Sequence, residues 1–291
     1  MWRKLTTAEW VERREHELER RYGERLAIIQ RPPRKRIELE IFCRTAVEAN
    51  QLRAEFGGTI IRLLGGWQTG FQQSPRRAPI RIGNRLLIVD NEETRRRIAS
   101  NKTSARVLLI PAGAAFGTGE HITTAMCLRM LERVTRHTPT HWQLLDVGTG
   151  TGVLALAGRC FGANKVVAID NYPLGIATAK QNAVLNRISG VGFLRRDVLT
   201  WQGKDRFDVI TANLFSSLLI AALPKLNAWL KHNGVLILSG VLRNQERELL
   251  GALRRDGFSP PETRKRGKWI ALTCSVGATG GRALPRKSRL T

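Results

Sequence analysis

Cysteine is scarce in this 291-residue chain, and acidic side chains are half as many as basic ones. The four cysteines, Cys43, Cys127, Cys160 and Cys274, lie far apart and form neither a CxxC pair nor a Cys/His cluster. That excludes a disulfide-stapled scaffold and a zinc site, and it predicts a metal-free protein in the reducing cytoplasm. No apolar run approaches the roughly 18 residues of a membrane span, so no membrane partner is expected. The N-terminal stretch 1–26 is charged throughout and lacks the apolar centre of a signal peptide. Internal repeats are absent, and the one low-complexity tract is 277–291, "GATGGRALPRKSRLT", which reads as a disordered basic tail.

The acid deficit leaves 48 Lys and Arg against 24 Asp and Glu, a net charge of +24. Residues 251–291 are the densest positive segment, with 10 basic and 2 acidic groups. Such a field attracts polyanions and can hold RNA phosphates without sequence preference, through the basic surface and the tail. The same charges also suit ordinary solvated faces. Hydrophobic residues make up 42 % of the chain, enough for a full core without staples.

The periodicity changes along the chain. Residues 7–26 carry many Glu/Arg pairs three or four apart, as on a surface helix. "IELEIF" (37–42) alternates like a strand, 44–58 reads as a helix ended by glycines, and 59–64 as a strand. A loop-like stretch follows at 65–78, then a hairpin at 79–90 with Gly-Asn at its turn, and a strand at 106–113. From 122 onward helices and strands alternate, with strands at 143–148, 165–170, 191–197, 207–213 and 235–240 and helices between them, the fourth over 218–234. Residues 261–276 close as an antiparallel hairpin. This predicts an α/β Rossmann-like fold: a mostly parallel seven-stranded sheet with helices on both faces and a small N-terminal α+β domain. The expected domains are 1–75, 76–276 and the tail 277–291.

Ligands in such sheets bind at the carboxyl ends of the strands. Asp146, Asp170, Asp197 and Asn213 each end a predicted strand. Between the first two lies "LLDVGTGTGVLALAG" (144–158), with Gly148, Gly150 and Gly152 at every second position. Bare backbone allows a tight turn and lets a ligand approach the main chain. Asp170 follows Gly152 at a spacing that suits a carboxylate on ribose hydroxyls. The G-x-G-x-x-G spacing of dinucleotide sites is not met, because Val153 stands where its third glycine would be. A tight turn that holds no ligand is the alternative.

"LLDVGTGTG", "VVAID" and "RRD" (195–197) resemble the class I methyltransferases, which bind S-adenosylmethionine and release S-adenosylhomocysteine. The resemblance implies that the 148–152 loop approaches the methionine part of the cofactor, with Asp146 before it. It also implies that Asp170 holds the ribose and that Asp197 with Val198 borders the adenine. "AFGTGEHITTAMCLRML" (115–131), "TANLFSSLL" (211–219), "PIRIGNRLLIV" (79–89) and "GVLILSGVL" (234–242) further resemble the bacterial methyltransferase family of ribosomal protein L11. That resemblance covers residues 79–258 and, weakly, the N-terminal unit, a substrate-docking ferredoxin-like domain in the family, which here reads as shorter or reworked. Glu120, Ile122, Thr149 and Tyr172 depart from the family pattern.

The implied function is methyl transfer to lysine or N-terminal amino groups of ribosomal protein L11 or a similar protein. RNA or a different protein lysine is the alternative acceptor, and a non-catalytic, RNA-associated cofactor-binding protein is the third reading. Asn213 can accept from the amine N–H, or instead cap the helix that follows. Leu214 and Phe215 would form an apolar wall that disfavours an ammonium. Phe116 can pack on the cofactor, and Gly117 and Gly119 permit close approach. His121, Thr123 and Thr124 can cap a helix or face the site, and Glu120 can attract a cationic amine or sit in solvent. Trp142, Trp201 and Trp229 suit core and rim positions better than a base-stacking platform.

Overall fold

The structure is a computed structural model that describes residues 1–22, 26–30, 36–41, 43, 45–61, 78–100, 103–111, 117–119, 121–136, 138 and 141–276. The expected loop at 65–78, nearly all of it, Phe116, Glu120 and the tail 277–291 lie outside those residues. The chain divides into two compact units, Met1–Phe71 and Gln72–Thr291.

The first unit runs β1 (Trp2–Thr6), α1 (Ala8–Glu12), α2 (Glu15–Tyr22), β2 (Leu26–Gln30), β3 (Ile37–Ile41), α3 (Ala46–Phe56) and β4 (Thr59–Ile60). Its sheet has the order β2-β3-β1-β4 with every pair antiparallel. This is a complete βαββαβ unit of ferredoxin-like connectivity, which corrects the expectation of a shortened strand–helix–strand piece. The helix expected over 7–26 is two helices flanked by two strands. Its charge pairs are indeed helical, with Arg21 3.0 Å from Glu17 one turn away, but they carry no sign of the break between the helices or of the flanking strands. Arg3 lies between Glu38 and Glu40 of β3, 2.8 and 2.6 Å away, while Trp2, Leu39 and Ile41 on the opposite face are fully buried. Thr7 and Thr45 start α1 and α3 by accepting from the amides of Trp10 and Glu48.

The second unit opens with β5 (Ile80–Ile82) and β6 (Leu86–Val89), α4 (Glu92–Ser100) and β7 (Arg106–Leu109). Strands β5 and β6 form the expected hairpin through Gly83 and Asn84, and β7 pairs parallel to β6. Helix α4, the crossover between them, was not read from its sequence, which is mostly Glu and Arg. Its first turn is held by Asn91, whose side-chain oxygen accepts from the Thr94 amide.

The main body follows as α5 (Ile122–Val134), β8 (Gln143–Val147), α6 (Val153–Cys160), β9 (Lys165–Asp170), α7 (Pro173–Leu185), β10 (Val191–Arg195), β11 (Phe207–Asn213), α8 (Ser216–Trp229), β12 (Leu230–Leu242), α9 (Glu246–Arg255), β13 (Glu262–Arg266) and β14 (Trp269–Ser275). The seven-stranded sheet has the order β10-β9-β8-β11-β12-β14-β13. Its first five strands are parallel, and the last two form an antiparallel hairpin against β12. The order reverses between β8 and β11, so the crevice predicted for ligands opens there.

Alternate residues of the central strands serve two separate cores. Leu144 of β8 packs with α5 and α6, whereas Leu145 and Val147 pack with α8 and α9. Strand β12 begins at Leu230, earlier than the helix expected over 218–234 allows. Leu230 pairs with Phe207, and Lys231 reaches Asp208 of β11 at 2.8 Å, so this polar stretch extends the sheet. Trp142 and Trp229 are buried, and half-buried Trp201 packs on Trp229 with ring centroids 4.8 Å apart. No helix among the described residues is long and apolar enough to cross a membrane.

Candidate cofactor and acceptor site

Five parallel strands deliver their carboxyl ends to one edge of the sheet, and a cavity of about 460 Å³ opens there. Of the residues singled out in the sequence, Gly148, Gly150, Asp170, Tyr172, Asp197, Val198, Asn213, Leu214, Phe215, His121 and Thr123 line it.

The glycine loop leaves β8 with Gly148, Gly150 and Gly152 at φ of 71°, 53° and 81°. Other residues reach such angles only under strain. The amides of Gly148 and Thr149 both donate to Ile169 O at the end of β9. Asp170 completes the junction: Oδ2 accepts from the Gly150 amide and Oδ1 from the Tyr172 amide, both at 2.9 Å. Each carboxylate oxygen has capacity for a further donor, so Asp170 can fix the loop and still take ligand hydroxyls. Gly175 on α7 makes room, since a Cβ there would lie 3.0 Å from Asp170 Oδ2.

Four sequence-selected residues stand behind the cavity rather than on its wall. Asp146 is fully buried beneath the loop, where it accepts from the hydroxyls of Thr149 at 2.6 Å and Thr211 at 2.7 Å. Burial pushes its carboxyl up to about 6, against the pull of those hydroxyls and the Ala155 amide. Gly152 packs on α7, where a Cβ would meet that of Ala179 at 2.9 Å. The Gly117 carbonyl accepts from the Thr151 hydroxyl. Buried Thr124 accepts from Asn213 Nδ2 at 3.2 Å. In the structure these four support the cavity's wall and do not line it among the described residues. Thr149, noted as a departure, is the residue that ties the loop to Asp146.

Asn213 ends β11, paired with Ser239 of β12. It does not cap the next helix: Phe215 occupies the N-cap of α8 without a side-chain bond. With Nδ2 turned to Thr124, the buried Oδ1 has no hydrogen-bond partner among the described residues. An orphaned acceptor in a cavity wall is a place for an N–H or O–H donor.

His121 caps α5, with Nδ1 2.6 Å from the Thr123 hydroxyl, and packs edge-on against Trp269 at 5.2 Å between centroids. Burial, and then the Lys268 charge, hold the imidazole below its ordinary value, so it is neutral near pH 7. Capping and cavity lining thus coexist at this residue.

Trp269, Gly240 and Arg196 also line the cavity and were missed in the sequence. Gly240 ends the predicted fifth strand, so the strand-end argument could have found it. Trp269 gave no such signal. It enters antiparallel opposite Leu242 of β12, which carries it to the carboxyl edge of the parallel strands. The basic run 264–268 lies on the outermost hairpin, where Arg264 and Lys265 pair with Glu262 and Glu246. Among the described residues no group of His, Cys, Asp or Glu is arranged to hold a metal ion.

The family model described as Ribosomal protein L11 methyltransferase (PrmA) matches residues 66–276. The chain belongs to this family. A PrmA relative, the ribosomal protein L11 methyltransferase of Heliobacterium modesticaldum, is 36 % identical over 67 % of this chain and 59 % of its own length. That of Anoxybacillus flavithermus is 33 % identical over 67 % and 60 %. The chain thus spans about three fifths of the length of these curated relatives. The crystal structure of ribosomal protein L11 methylase from Lactobacillus delbrueckii subsp. bulgaricus superposes with a TM-score of 0.60 at 28 % identity, covering 69 % of this chain and all of that one. The seven-stranded body is accordingly the class I methyltransferase fold.

Proposed function

We propose that this PrmA-family chain is an S-adenosylmethionine-dependent N-methyltransferase that acts on primary amines, lysine or N-terminal, of ribosomal protein L11 or a similar protein. The observation that carries the reading is that Asn213, whose buried Oδ1 is unpartnered among the described residues, lines the same cavity as Gly148, Gly150 and Asp170. These residues fit the cofactor. The loop offers bare backbone, Asp170 has acceptor capacity for two ribose hydroxyls, and Asp197 with Val198 would border the base. When bound, the cofactor supplies an electrophilic methyl group on a sulfonium centre.

The protein's own task is to present a neutral amine. A free lysine ammonium has a pKa of about 10.4, and only the neutral form has a lone pair to donate. Leu214 and Leu218 give the cavity an apolar flank, which disfavours the charged form, and exposed Phe215 stands beside it. Asn213 then accepts an N–H with a neutral oxygen, where a carboxylate would stabilise the ammonium and oppose proton loss. Thr124 anchors the other end of the amide, accepting from Nδ2. The βαββαβ unit would dock the protein substrate, and the reaction would take place in the cytoplasm, where ribosomal proteins are made.

The test is incubation with radiolabelled S-adenosylmethionine and ribosomal extract, followed by separation of protein from RNA. Label in a protein of the size of L11, acid-stable and on lysine or the N-terminus, is the expected result. Label confined to RNA would replace this reading with the RNA acceptor.

A further inference from the structure

Leu214 is seated between two glycines, one in the loop after β8 and one in β12. A Cβ built on Gly148 would lie 2.3 Å from Leu214 Cδ2. One built on Gly240 would lie 2.3 Å from the Leu214 carbonyl oxygen and 3.0 Å from its nitrogen. Both distances are far inside van der Waals contact. At Gly148 the neighbour is a side chain that can rotate; at Gly240 it is main chain, which cannot give way without moving Asn213 or Phe215.

The rest of the geometry shows what the approach achieves. Gly240 has φ of 89°, and the register of β12 against β14 shifts between Ser239 and Val241, so the strand bulges where Leu214 passes. The Leu214 amide donates to Ser239 O at 3.1 Å, which fastens the turn to the same spot. Gly148, Asn213, Leu214 and Gly240 all line the cavity. Leu214 therefore links the cofactor loop on one side to β12 on the other, with the orphaned Asn213 oxygen one residue away.

We propose that Gly240 is a positioning residue for methyl transfer: its bare backbone lets Leu214 seat against Gly148 and thereby aims the Asn213 amide oxygen at the point of transfer. The proposal rests on the N-methyltransferase reading above. It assigns cofactor affinity to the 148–150 loop and Asp170, and the direction of the acceptor oxygen to the contact between Leu214 and Gly240.

The decisive variant is Gly240→Ala. Its readouts are turnover, acceptor KM and calorimetric affinity for two probes. One probe is S-adenosylhomocysteine; the other is an S-adenosylmethionine analogue bearing an amine in place of the transferable methyl. The analogue places N–H donors where Asn213 Oδ1 is aimed, so the wild type should prefer it and Asn213→Ala should lose the preference. Gly240→Ala should keep its S-adenosylhomocysteine affinity within about threefold and lose the analogue preference. Its turnover should fall on the order of 10²-fold, as for a misplacement near 1 Å, with acceptor KM little changed. Full turnover and intact preference in Gly240→Ala would overturn the proposal. So would equal loss of affinity for both probes, or a wild type without any preference. If the wild type binds both probes but methylates no protein, the N-methyltransferase reading fails while the probe comparison still judges Gly240. Should Gly240→Ala not fold, Leu214→Ala removes the side chain that the close approach at Gly240 seats against Gly148, and retained preference there overturns the proposal.

Discussion

The Gly150 amide and the Asp170 carboxylate are joined by a 2.9 Å hydrogen bond across the junction of two neighbouring strands. One side chain thus shapes the glycine loop and faces the cavity that the loop borders. Asp170→Ala should remove both effects at once. Each hydrogen bond from a ribose hydroxyl to the carboxylate contributes about 1.5–3 kcal/mol, so S-adenosylhomocysteine affinity should fall by at least about tenfold for each bond. Isothermal calorimetry on the variant measures this, and an unchanged Kd would remove Asp170 from the site.

Asn213 should show the opposite pattern. Asn213→Ala should leave S-adenosylhomocysteine affinity near the wild-type value and lower turnover strongly, because the amine is held chiefly in the reacting complex. Thr124→Val keeps the shape of the core but removes the acceptor that orients Asn213 Nδ2. Its turnover should lie between those of Asn213→Ala and the wild type. Parallel loss of affinity and turnover in a well-folded Asn213→Ala would make the residue structural.

The strand-end rule made the cavity-lining carboxylates legible in the sequence, and it was indifferent to depth. Asp170 and Asp197 reach the cavity, whereas Asp146, one strand inward, turns down to Thr149 and Thr211. Nothing in "LLDVGTGTG" distinguishes a carboxylate above the sheet from one beneath the loop. The alternation of apolar helices and strands revealed the main sheet, because parallel strands are buried on both faces. In the N-terminal unit it found β3, α3 and β4 but missed β1 and β2, short five-residue strands whose place is set by their pairing with β3, far along the chain. Trp269 was hidden for a different reason: its place depends on the β12–β14 register, a long-range fact.

Asp146 gives the chain a calculable pH dependence. Its carboxyl is pushed up to about 6 from an ordinary 3.8, chiefly by burial. Between those values the folded state binds more protons than the unfolded one, so this group's contribution to stability falls as pH rises from about 4 to 6. Above that window it is flat. A shift of roughly two units corresponds to at most about 3 kcal/mol. Asp146→Asn abolishes the titration, so the wild-type minus variant difference in unfolding free energy should decline across the window. Urea titrations at intervals of pH measure it, and a constant difference would mean that Asp146 titrates normally.

Phe215 tests how the acceptor reaches Asn213. It is 79 % exposed, yet it lines the cavity at the N-terminus of α8, two residues after Asn213. Complete burial of a Phe side chain stabilises by about 1.5–3 kcal/mol, and a docked lysine stem would cover only part of the ring. Phe215→Ala should therefore raise the KM for the protein acceptor by about three- to tenfold, less than full burial would allow. Fold stability should hardly change, because an exposed ring contributes little to it. Cofactor affinity should also hold, since the loop and Asp170 are untouched. Turnover at saturating acceptor should stay close to wild type if the ring only receives the incoming side chain. A drop in saturated turnover with unchanged KM would instead place Phe215 with Leu214, as part of the wall that keeps the reacting amine neutral.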